Sequence, residues 1–70
     1  MIVDIDGREL NDYDELILVS EGYDYHRDIY PLGTRCKIMY LIDEDIIEVR
    51  FLDGNLSHVR PKHCRKVEVN

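Results

Sequence analysis

The sequence predicts a small, mainly β domain, and three observations carry that expectation. Two stretches, 34–42 and 46–52, alternate apolar and polar residues with the period of a half-buried strand. Residues 15–20, Glu-Leu-Ile-Leu-Val-Ser, are rich in branched apolar side chains that favour a pleated surface. Asp53-Gly54 stands between two strand patterns, where glycine accepts the positive φ of a primed hairpin turn.

The elements follow in order. Ile2 to Ile5 reads as a strand that Asp6-Gly7 turns into Arg8 to Leu10, while Asn11 to Asp14 carries capping residues suited to a short helical turn. Residues 1–14 are therefore expected as an N-terminal extension packed on a barrel of residues 15–70, in a single domain. The first barrel strand is 15–20. Residues 21–33 have neither period and contain both Gly and Pro, so they read as one long loop. Loops of that length in small domains often carry function. In 34–42, Cys36, Ile38 and Tyr40 share one face, and Arg35, Lys37 and Met39 the other. Asp43 to Asp45 is a polar turn. In 46–52, Ile47, Val49 and Phe51 point inward, and Glu48 and Arg50 outward. Residues 56–60 form a short strand, Pro61 to His63 one tight helical turn, and Cys64 to Val69 the last strand, with Val67 and Val69 on one face. Five short strands in a chain this small close most naturally into a barrel, which removes exposed edges.

Size and composition narrow the function. A chain of 70 residues is one domain with a thin core. It leaves no room for a deep cavity of the ~300–1,000 Å³ typical of ligand pockets. No nucleophile motif surrounds Ser20, Thr34 or Ser57, and the glycines form no phosphate-cradling loop. The expectation is a protein that is not an enzyme and needs no cofactor. The longest apolar run, Ile38 to Ile42, is far short of the ~20 residues of a membrane span. Met1 to Asp4 has no basic stretch followed by an apolar block, so a cytoplasmic location without membrane attachment is expected. Cys36 and Cys64 read as free, buried thiols, with a single bridge as the alternative. Cys36, His58, His63 and Cys64, with His26 farther off, have the ligand types of a zinc site. They lack a Cys-x-x-Cys pair, and adjacent His63 and Cys64 point to opposite faces of a strand. No metal is expected.

The net charge of −6 is uneven. Residues 1–33 hold nine acids and two bases, −7, whereas residues 34–70 hold six acids and seven bases, +1. The chain thus reads as polarised, with an acidic first half and a basic rim at Arg60 to Lys66.

Leu32-Gly33-Thr34-Arg35-Cys36-Lys37-Ile38, Ile47-Glu48-Val49-Arg50-Phe51-Leu52-Asp53-Gly54 and Val59-Arg60-Pro61-Lys62-His63-Cys64-Arg65-Lys66-Val67 resemble the SH3-like barrels of the KOW and Tudor type. The resemblance covers about residues 15–69. It implies an all-β, five-stranded barrel with a long first loop and a short 3-10 turn before the last strand. It implies no single function, because such barrels host many unrelated binding roles. The chain departs from the proline-rich-peptide binders, which depend on tryptophan, and it carries Cys64 where a leucine usually plugs the barrel.

Three functional readings follow. In the first, a non-catalytic interaction module holds a partner protein through the tyrosine-bearing acidic loop, with Tyr23, Asp24, Tyr25, Asp28 and Tyr30 in contact. Tudor-like aromatic walls with a carboxylate hold methylated cations by cation–π attraction, but these rings could equally pack the loop onto the barrel. In the second, Asp12, Asp14 and Glu15 belong to a surface that imitates nucleic acid and inhibits a host nucleic-acid-binding protein, as small phage proteins do. In the third, Arg60, Lys62, Arg65 and Lys66 make a KOW-like contact with RNA, DNA or a ribosome. The opposed acidic and basic poles also suit pairing between copies of the chain.

Overall fold

The computed structural model describes residues 1–20 and 30–68. They form a mainly β structure. The strands are β1 (Glu15–Leu18), β2 (Arg35–Leu41), β3 (Ile47–Phe51), β4 (Leu56–Val59) and β5 (Cys64–Lys66), with a 3-10 turn at Pro61–His63 between the last two. All pairings are antiparallel, in the order β4-β3-β2-β1-β5. Alternation does what the sequence implies. Leu16, Leu18, Ile38, Ile47, Val49 and Val59 are fully buried, and Phe51, Cys36, Cys64 and Tyr30 complete the core. Burying each large aliphatic side chain contributes about 1.5–3 kcal/mol.

The sheet does not close. β4 and β5 end it on opposite sides, so the expected edge-free barrel is corrected to an open sheet. One edge is covered by the N-terminal segment. Ile5 donates its N–H to the Cys64 carbonyl at 2.9 Å, and Lys66 donates to the Asp4 carboxylate at 2.8 Å. The expected turn at Asp6-Gly7 is present, and Val3 bridges Glu9 across it. Asp4, only 2% exposed, holds this turn by accepting the N–H groups of Asp6 and Arg8 at 2.9 Å each.

Three local expectations fail for identifiable reasons. Tyr40 does not share the inward face of Cys36 and Ile38. The register shifts between Ile38 and Tyr40, a bulge that flips side-chain direction, and Tyr40 is 62% exposed. Asn11 to Asp14 is no helical turn. Tyr13 adopts φ 70°, and its N–H goes to the Ile38 carbonyl at 2.8 Å, so the segment docks on β2 instead. The Asp53-Gly54 hairpin is not a two-residue primed turn. Gly54 donates to Phe51 C=O at 2.9 Å and Phe51 donates to Asn55 C=O at 3.0 Å, a three-residue loop that needs Gly54 at φ 90°. Among the described residues no helix is long and apolar enough to cross a membrane.

Candidate functional site

The β3–β4 turn is the best-defined surface feature. Because the loop is a type I turn closed by Gly54, Leu52 occupies its outer corner and is 91% exposed. Leu56, the first residue of β4, is 52% exposed. Two apolar side chains on one small hairpin therefore meet solvent.

Tyr30 fixes this turn. Its ring stacks on Phe51 with centroids 3.6 Å apart and planes 6° from parallel. Its hydroxyl donates to the Asp53 carboxylate at 2.6 Å and accepts from Asn55 Nδ2 at 3.0 Å. Asp53 also accepts the Asn55 N–H at 3.0 Å. The hydrogen bond from Tyr30 holds the Asp53 carboxyl below its ordinary pKa, and the same bond raises that of the Tyr30 phenol. Tyr30 is 6% exposed, and it packs against the turn and positions it. Of the other loop candidates, Tyr23, Asp24, Tyr25 and Asp28 lie outside the described residues.

The charged candidates are less free than their sequence positions suggest. Asp14 is half-buried, accepts the Asn11 N–H at 2.8 Å and pairs with Lys66 at 3.3 Å. Glu15 faces Arg35 at 3.8 Å, and Asp12 is exposed. Arg65 grips Asp6 through two nitrogens at 2.7 and 3.3 Å, which lowers the Asp6 pKa and raises its own. Arg60 and Lys62 are exposed beside Glu44 and Asp45. The acidic and basic halves thus meet within one chain: Asp6 and Asp14 are set against Arg65 and Lys66.

Cys36 and Cys64 are free and buried. Burial pushes the Cys36 thiol up to about 12 and raises that of Cys64 further, so neither is a nucleophile near neutral pH. Among the described residues no group of three or more Cys, His, Asp or Glu side chains could hold a metal ion.

Sequence reasoning missed Leu52, Asp53 and Asn55, because it read Leu52 as the end of a strand and Asp-Gly as the whole turn. The Asp-Gly-Asn run beside an aliphatic residue was the available signal. No family model, curated protein or solved structure matches the chain.

Proposed function

We propose that the protein is a non-catalytic protein-interaction domain of the SH3-like, KOW and Tudor kind. It engages its partner through the loop of residues 21–33 together with the β3–β4 turn. The strand order and the 3-10 turn before β5 support the fold resemblance. The observation that carries the binding reading is the pairing of a nearly bare Leu52 with the rigid Tyr30–Asp53–Asn55 lock beneath it. Exposed apolar side chains on a fixed support offer contact area at little ordering cost. The acidic-mimic and nucleic-acid readings draw less support, since Asp14, Glu15, Arg65 and Lys66 are already paired inside the chain.

Affinity capture from the native cell tests the proposal. The wild-type chain should retain a partner that Leu52→Asp and Tyr25→Ala both lose while their circular dichroism is unchanged. Unaltered capture by both variants overturns it.

A further inference from the structure

The chain contains two Asp-Gly pairs, Asp6-Gly7 and Asp53-Gly54, and the fold treats them alike. Both lie exposed in turns, and the glycines adopt positive φ angles of 81° and 90°. An aspartate followed by glycine is chemically vulnerable. No side chain hinders the glycine nitrogen, which can attack the aspartate Cγ and close a five-membered imide. A Cβ built on either glycine would meet nothing within 4 Å, so packing shields neither.

Hydrogen bonds hold the reacting groups in both turns. The Gly7 N–H donates to the Asp4 carbonyl at 3.0 Å, and the Gly54 N–H donates to the Phe51 carbonyl at 2.9 Å. Arg65 donates to both oxygens of Asp6. Both oxygens of Asp53 are engaged as well. Its Oδ1 accepts the Asn55 N–H at 3.0 Å, and its Oδ2 accepts the Tyr30 hydroxyl at 2.6 Å and Asn55 Nδ2 at 3.3 Å. Asn55 belongs to the same turn and moves with it, whereas Tyr30 is buried and stacked on Phe51. Swinging Cγ onto the Gly54 nitrogen breaks the Tyr30 bond. That bond also favours the ionised carboxyl, which has no hydroxyl to lose as water.

We propose that Asp53-Gly54 is a latent isoaspartate site and that Tyr30 is the positioning residue that keeps it from cyclising. Once the bond is gone, the Gly54 nitrogen attacks Asp53 Cγ. The N–Cγ bond forms, and the amide proton and the carboxyl hydroxyl leave as water. Water then adds to one of the two imide carbonyls. Opening at Cγ restores aspartate. Opening at the main-chain carbonyl gives isoaspartate, in which the backbone runs through the side chain and is one carbon longer. The lengthened loop no longer fits the closure between Phe51 and Asn55, and Leu52 is re-aimed. Only this last consequence for binding rests on the turn being a contact surface.

The test ages the whole chain at neutral pH and physiological temperature. Tandem mass spectrometry assigns isoaspartate to its position, and methyl transfer from S-adenosylmethionine by an isoaspartyl methyltransferase counts the total. Tyr30→Phe keeps the ring and loses the hydroxyl. It should form isoaspartate at position 53 about tenfold faster than wild type, the factor expected for one lost hydrogen bond to a charged group. Arg65→Gln should speed the reaction at position 6 and leave position 53 unchanged. Adding Asp53→Glu to Tyr30→Phe should remove the signal at 53, because glutamate would have to close a six-membered ring. A Tyr30→Phe rate equal to that of wild type overturns the proposal. So does an equal rise at positions 6 and 53 in Tyr30→Phe, which marks global unfolding and not a local restraint. Isoaspartate at 53 with partner capture undiminished supports the restraint and contradicts the turn as a contact surface.

Discussion

The Tyr30 hydroxyl donates to the Asp53 carboxylate at 2.6 Å, joining the segment before β2 to a turn 23 positions later. That bond has a pH signature. The Asp53 pKa is lowered in the fold, so its contribution is complete above the ordinary value of 3.8 and is lost as pH falls from there through the lowered value. The Tyr30 pKa is raised, so its contribution is complete below 10.0 and is lost as pH rises through the folded value. Urea midpoints should therefore be lower for Tyr30→Phe than for wild type at neutral pH, and lower still for Tyr30→Ala, which also loses the stack on Phe51. Asp53→Asn should flatten the acid limb below pH 3.8.

Asp4 is a buried carboxylate that accepts three backbone N–H groups, from Asp6, Arg8 and Lys66. Asp4→Ala leaves those donors unsatisfied and should cost about 2–4 kcal/mol in urea unfolding. Asp4→Asn, which keeps one acceptor oxygen, should cost less. Amide exchange at Lys66 should speed up in both. Unchanged exchange there would show that the N-terminal segment does not cover the β5 edge.

The thiols give a third expectation. Ellman's reagent should label Cys36 and Cys64 only through global unfolding, with both reacting at one common rate. Stability should fall as pH rises above 9.0, because the unfolded chain ionises its thiols while the fold holds Cys36 protonated up to about 12. The slope reaches about 1.4 kcal/mol per pH unit for each thiol. Cys36→Ala should make this alkaline limb shallower.

Much of the fold was legible because period-2 alternation reports burial directly. Cys36, Ile38, Ile47, Val49 and Phe51 all face the core as their spacing implies. Pro61 stops β4 and starts the 3-10 turn as its fixed φ dictates. Tyr40 was misread because a bulge is a register event between strands, and a single strand's pattern cannot encode it. Among the described residues the two halves of the charge pattern pair in space instead of standing apart. Asp6 meets Arg65 across 59 positions, a contact that follows only once the N-terminal segment lies along β5. Leu52 escaped notice because its exposure depends on the length of the turn, set by Gly54, and not on its own side chain.

Site-specific photocross-linking tests the central claim most directly. A benzophenone side chain placed at position 52 should cross-link to the captured partner. The same group at exposed Glu9, beside the β5 edge, should not. Cross-linking from position 9 with none from position 52 would contradict the assignment of the β3–β4 turn as the contact surface.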